Sequence, residues 1–232
     1  MEREDADKFI IRFSLNQRIQ HWVLLISMLV LLLTGLALMF SNTWFGRFMI
    51  MIEGGIQTRG LIHRIAAIVL VGLSVYHIFY VMFTEEGHRE LMALRPRLRD
   101  FRDFFQNLKY NFGMDDEPPK FYKYDFRQKF QYFGVWVGGI IMVVTGFILW
   151  FETQSLAIYP KWVIDIIAII HGWEGVIIFF ILLLLHLYNV HLNPDVFPMS
   201  RTWLTGKLSV DEMRNRHQLE YEKMSNAEED KR

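Results

Sequence analysis

The chain has 232 residues, 52% of them hydrophobic, with 25 Lys and Arg balanced by 25 Asp and Glu, and no cysteine. Balanced charge argues against a nucleic-acid binder, and the missing thiols exclude thiolate-held iron–sulfur clusters, covalent c-type haem and disulfides. Any redox centre held by this chain must therefore use His or Met.

The hydrophobic residues fall in blocks, and a block of about 20 residues at about 1.5 Å rise each spans a bilayer. The N-terminal string MEREDADKFIIRF is acidic and polar and lacks the apolar core and small-residue cleavage site of a signal peptide. The first apolar helix is therefore expected to be retained.

That helix runs from Trp22 to Phe40, contains Thr34-Gly35 and has His21 at its start. Taken alone, His21 beside Trp22 reads as an interfacial residue. Residues 41–60 are expected to form a loop, with Trp44 and Phe45 at the interface and a turn at Gly54-Gly55. Leu61 to Phe83 is the second span. Its His63 and His77 are fourteen residues apart, about 40° off alignment and about 21 Å along the axis. Residues 84–130 read as a long basic loop, within which Pro96 opens an amphipathic helix with Leu98, Phe101, Phe104, Phe105 and Leu108 on one side. Its cations, Lys123, Arg127 and Lys129 among them, are expected at solvent and lipid headgroups.

Gln131 to Phe151 is the third span, with Gly138-Gly139 and Thr145-Gly146 but no His. The fourth, Trp162 to His191, carries His171 and His186 fifteen residues apart, about 60° and about 22 Å from one another. Asn193-Pro194 and Phe197-Pro198 end it. Ser209-Val210-Asp211-Glu212 has the form of a capping box, so a last soluble helix is expected over 210–224, ahead of eight frayed, charged residues. The chain divides into an N-terminal segment (1–20), a four-helix domain (21–192) containing the basic segment 84–130, and a C-terminal tail (193–232).

Two pairs of membrane imidazoles at nearly equal spacing are the informative feature. One buried His can be a hydrogen-bonded packing residue, but imidazoles in lipid are costly and need a reason. Two haems stacked across the membrane, each needing axial imidazoles, supply one. The fold class expected is thus an all-α membrane protein, a bundle of four transmembrane helices binding two b-type haems, with amphipathic and tail helices in the cytoplasm. Gly35, Gly72, Gly138, Gly146 and Gly175 on these helices can admit porphyrin to backbone or serve helix packing.

A weak internal repeat appears at an offset of 111 residues: Gln17-Arg18 matches Gln128-Lys129, Gln20 matches Gln131, Thr34-Gly35 matches Thr145-Gly146, and Leu38 matches Leu149. Tyr132 stands where the first half has His21. Basic loops face the cytoplasm, so the 84–130 excess places that segment and both termini inside, in a multi-pass protein of the bacterial inner membrane. His63 and His171 then lie on the outer side, and His21, His77 and His186 on the inner.

Arg18-Ile19-Gln20-His21-Trp22, Thr34-Gly35, Leu61-Ile62-His63, Lys123-Tyr124-Asp125-Phe126-Arg127-Gln128-Lys129, Val144-Thr145-Gly146 and His186-Leu187-Tyr188 together resemble the membrane cytochrome b subunits of respiratory formate dehydrogenases and nickel–iron hydrogenases, within the cytochrome b561-like proteins. The likeness covers residues 10–215 and is strongest to the formate dehydrogenase gamma subunit. It implies His63 and His171 for the outer haem, His21 and His186 for the inner, and a quinone site at Asp125 and Gln128. Asp125 would relay a proton and Gln128 would hold a quinone carbonyl, of menaquinone or ubiquinone.

The sequence departs from that family in three places. Its fourth-helix ligands are fifteen residues apart rather than fourteen, Asp125 replaces Asn, and His77 is not a usual ligand. His77 can displace His21, touch a haem propionate, or pack in the core. The implied function is an electron-transfer anchor between the quinone pool and a periplasmic iron–sulfur or multihaem cytochrome subunit with its catalytic subunit. A stand-alone cytochrome b561-like quinone oxidoreductase is the alternative. Lipid is a partner in either case, and nucleic acid is not.

Overall fold

A computed structural model describes residues 9–194 and 196–229. The acidic residues 1–8 and the terminal residues 230–232 of the expected frayed end lie outside the described residues.

In chain order the elements are β1 (Phe9–Ile11), α1 (Leu15–Met39), α2 (Trp44–Ile52), α3 (Ile56–Phe83), α4 (Glu85–Leu94), α5 (Leu98–Asn111), α6 (Phe126–Trp150), α7 (Glu152–Ile158) and α8 (Lys161–Phe180), which continues as a π-helical stretch, Ile181–Leu192. There follow α9 (Thr202–Thr205), β2 (Lys207–Ser209), α10 (Val210–Arg216) and α11 (Gln218–Glu229). Among the described residues four helices are long and apolar enough to cross a membrane: α1, α3, α6 and the continuous α8, between 25 and 32 residues each.

Helix ends follow local chemistry. The C-terminal ends of the four long helices fall within a residue of the hydrophobic pattern. The first three begin five residues or more before it, because apolar periodicity cannot see a polar first turn. At α1, Ser14 N donates to Gln17 Oε1 at 3.0 Å and Gln17 N to Ser14 Oγ at 3.3 Å, a reciprocal capping box. At α6 the same box is built by Asp125 N to Gln128 Oε1, 3.1 Å, and Gln128 N to Asp125 Oδ1, 2.8 Å. Gly54 and Gly55, with φ of 85° and 92°, make the expected turn into α3. Residues 41–60 are not simply a loop: Thr43 Oγ1 accepts from Gly46 N at 3.1 Å and starts α2.

The chain forms two compact units. One contains residues 19–78 and 134–200. Its large apolar side chains, such as Ile26, Leu29, Ile68, Ile140, Phe147 and Leu184, point outward, while small or polar residues are buried: Ser27, Thr34, Ala37, Ala66 and Thr145. That inversion is what lipid as solvent selects, since helices then gain from close packing of small residues rather than from hiding apolar ones.

The other unit contains the chain up to Arg18, residues 79–133 and the chain from Arg201. Here β1 and β2 pair antiparallel, Phe9 opposite Ser209. Gly206 at φ 76° accepts Arg12 N and Phe13 N on its carbonyl, and a Cβ there would meet Phe13 O at 2.4 Å. The basic segment is helical over α4 and α5, and three cations expected at headgroups are instead paired within the protein. Lys123 Nζ meets Glu90 at 2.5 Å, Lys129 Nζ meets Asp100 at 2.7 Å, and Arg127 meets Asp125 at 2.8 Å. Lys129 is buried, Lys123 and Arg127 are partly so, and each found a carboxylate brought near by α4, α5 or the α6 cap.

Tyr124 OH also donates to Glu90, at 2.7 Å, and burial beside that carboxylate pushes its phenol well above the ordinary value. Leu98, Phe101 and Phe105 on α5 are exposed. Ser209 Oγ caps the tail helix as expected, but the helix breaks at His217. There the ring Nδ1 donates to Tyr122 O at 2.8 Å and Leu219 N to Phe121 O at 3.1 Å, which docks the tail on the segment before α6.

Candidate functional site

Four imidazoles meet in two pairs inside the membrane unit. His63 on α3 faces His171 on α8, with ring centroids 6.4 Å apart and planes at 68°. His21 on α1 faces His186 on the π-helical stretch at 6.3 Å and 41°. Each pair takes one ring from each half of the chain. His77 lies elsewhere: its Nδ1 is 2.7 Å from Gln20 Oε1 and its ring 5.9 Å from that of Trp136.

The spacing suits haem. Two metal–imidazole bonds of about 2 Å, plus about 1 Å from nitrogen to ring centre on each side, put two axial rings about 6 Å apart. Among the described residues no three His, Asp or Glu side chains converge as a bare metal ion would need, so paired imidazoles with the other iron ligands coming from a porphyrin fit better. The π-helical winding bears on the fifteen-residue interval between His171 and His186. It spreads one extra residue over the turns before His186, as an insertion into an α-helix does.

Around the His63–His171 pair each ring meets a hydroxyl group. Thr34 Oγ1 lies 2.8 Å from His63 Nδ1, and Thr145 Oγ1 lies 2.9 Å from His171 Nδ1. A Cβ on Gly35 would sit 3.7 Å from His63 Cε1, and one on Gly146 would sit 3.1 Å from His171 Cε1. These two glycines therefore clear space for imidazoles. Gly138 makes room for Glu174, whose Oε1 lies 2.6 Å from where its Cβ would be, and nothing approaches Gly72 within 4 Å.

The sequence reasoning passed over Arg59 and Arg64. Arg59 Nη1 donates to Thr34 O at 2.8 Å while its Nε is buried without a hydrogen-bond partner, and Arg64 lies over the Trp150 ring at 5.2 Å. An orphaned guanidinium N–H near His63 suits a haem propionate. The available signal was two arginines within four residues of a membrane His.

The sequence profile of the prokaryotic cytochrome b561 family matches residues 12–196, which hold all four long helices and all five of these imidazoles. This chain belongs to the prokaryotic cytochrome b561 family. Curated relatives of this family member include the cytochrome b556(fdo) subunits of formate dehydrogenase from Escherichia coli strains K12, O6:H1 and O157:H7. Each is 23% identical over 208 residues, covering 89% of both chains.

In this cytochrome b561-family chain Asp125 and Gln128 lie at the α6 cap. Asp125 is buried, with Oδ1 on Gln128 N and Oδ2 taking Arg127 Nε at 3.0 Å and Nη2 at 2.8 Å. Gln128 uses only its Oε1 in the cap, so its amide N–H group remains available to an acceptor.

Proposed function

We propose that this chain is the dihaem membrane subunit of a respiratory oxidoreductase and exchanges electrons between a periplasmic redox partner and the quinone pool. One haem would be held by His63 and His171, the other by His21 and His186. The observation that carries the reading is the matched ring separation of the two pairs, 6.4 and 6.3 Å, each bridging two membrane helices. A bound haem with both axial positions filled supplies one-electron transfer and leaves no iron site for substrate.

The chain's own residues orient those imidazoles, offer Arg59 to a carboxylate, and exclude water with the lipid-facing helices. His77, bonded to Gln20 and with its ring tilted against that of Trp136, is assigned to packing rather than ligation. Without cysteine, the chain relies on its partner for iron–sulfur clusters or c-type haems. The relatives' names support a formate dehydrogenase-type assembly with a catalytic subunit.

The basic 84–130 segment supports an inner-membrane topology with both termini cytoplasmic. α1 and α6 then start on that side, where Gln128 can donate to a carbonyl of menaquinone or ubiquinone and Asp125 can take part in proton exchange.

Purification of the tagged chain from native membranes tests the proposal. Two b haems per chain by pyridine haemochrome, with stoichiometric catalytic and cluster- or haem-bearing subunits, is the expected result. A haem-bearing homodimer without partners would instead identify a stand-alone quinone oxidoreductase. A chain with no Soret band would overturn both.

A further inference from the structure

Thr34 and Thr145 stand 111 residues apart, at equivalent positions of the internal repeat, and each is followed by glycine. Neither lies on a helix that carries a ligand of the His63–His171 pair: Thr34 is on α1 and Thr145 on α6. Each hydroxyl is committed along its own helix. Thr34 Oγ1 donates to Val30 O at 2.7 Å, with Leu31 O next at 3.2 Å, and Thr145 Oγ1 donates to Ile141 O at 2.6 Å, with Met142 O at 3.4 Å.

A hydroxyl has one hydrogen. Once that hydrogen is spent on a carbonyl, the oxygen can only accept from the imidazole nitrogen 2.8 or 2.9 Å away. His63 and His171 must then carry their proton on Nδ1. A neutral imidazole protonated there keeps its lone pair on Nε2.

We propose that each Thr-Gly dipeptide is a seat for an axial imidazole. The threonine selects the Nδ1–H tautomer, so that Nε2 is the iron-binding nitrogen, and the glycine leaves room for Cε1. Both threonines are positioning residues, and the inference rests on the dihaem reading above. The seats also tune the centre. An acceptor on Nδ1–H feeds electron density to Nε2, a stronger donor favours oxidised iron, and the midpoint potential falls.

The test uses the full chain in its native complex. Redox titration of the b-haem absorbance and low-spin electron paramagnetic resonance are run on Thr34→Val, Thr145→Val and the double variant. The centre that disappears in His63→Ala should shift to higher potential in each, and further in the double, while the other centre stays in place. Thr34→Ser and Thr145→Ser should restore the wild-type potential and signal. Gly146→Ala should move the same centre, because its methyl would press His171 Cε1 at 3.1 Å, whereas Gly35→Ala at 3.7 Å should not. Loss of that haem from the valine variants with retention in the serine variants also supports the seat. Unmoved potentials in the valine variants, equal shifts of both centres, or serine variants that behave like valine would overturn it. Two b haems with unmoved potentials sink this inference alone, and a wild-type chain without b haem sinks the dihaem reading with it.

Discussion

Ser14 and Asp125 stand 111 residues apart and start their helices in the same way, each exchanging two hydrogen bonds with a glutamine three residues on. The repeat thus extends to the capping residues of α1 and α6, three positions ahead of its first sequence match. A cap of this kind contributes about 1 kcal/mol. Ser14→Ala should therefore cost about as much as an Asp125→Ala change corrected for the lost Arg127 ion pair, which a double-mutant cycle with Arg127→Leu would isolate in thermal melts of the purified chain.

Haem pairing is the most direct expectation. His63→Ala and His171→Ala should each remove the same one of two b haems with the other spectrum kept, and His21→Ala and His186→Ala should remove the other. His77→Ala should retain both. Loss of different haems from two members of one ring pair, read by pyridine haemochrome, would refute the pairing.

The basic segment makes the topology testable. Reporters fused after Arg99 and after Arg232 should be cytoplasmic, and one after Glu53 periplasmic. An inverted pattern would exchange the sides assigned to the two imidazole pairs.

Gln128 separates quinone contact from capping. Gln128→Glu keeps an oxygen for the Asp125 N–H but loses the amide donor, so haem content should hold while reoxidation by a soluble quinone analogue slows about tenfold or more, the worth of one charge-free donor to a buried carbonyl. Asp125→Asn retains an N-cap residue and should be milder than Asp125→Leu, with an altered pH dependence. Wild-type reoxidation in Gln128→Glu and Asp125→Leu alike would move the quinone site elsewhere.

His217 makes tail docking sensitive to acid. Burial, reinforced by the Arg12 and Arg216 cations, lowers its pKa from 6.5 to about 4 in the folded chain. The unfolded or undocked tail therefore binds the proton first as pH falls through 6.5. Stability conferred by docking is complete above that pH and is lost progressively down to about pH 4, by a sum of about 3 kcal/mol. Amide exchange at Leu219, taken relative to its intrinsic rate at each pH, should accelerate between pH 7 and 5 in the wild type. In His217→Asn, whose side-chain amide can still donate to Tyr122 O, that acceleration should vanish.

Much of this was legible from residue order alone. The four spans, the turn at Gly54-Gly55 and the Ser209 cap follow from runs of apolar residues, glycine φ freedom and local side-chain chemistry, all short-range properties. Helical periodicity gives the proximity of His21 to His186 and of His63 to His171 only as shared depth, because it sets height and angle on one helix but not which helices face each other; the pairing itself was implied by the family resemblance. Thr34 and Thr145 were visible as repeat markers, yet their bond to an imidazole is a contact between helices. Lys123 and Lys129 were misplaced at headgroups because their carboxylate partners, Glu90 and Asp100, arrive from elements whose docking no local pattern encodes, whereas Arg127 pairs with Asp125 only two residues away. The fifteen-residue interval from His171 to His186 likewise looked like a mismatch until the winding of the helix was known.

That each imidazole pair draws one ring from each half of the chain has a consequence for assembly. A haem gripped from both sides, as proposed, would be a rivet as well as a conductor, closing the seam between the two halves. Prosthetic-group insertion and closure of the bundle would then become one event.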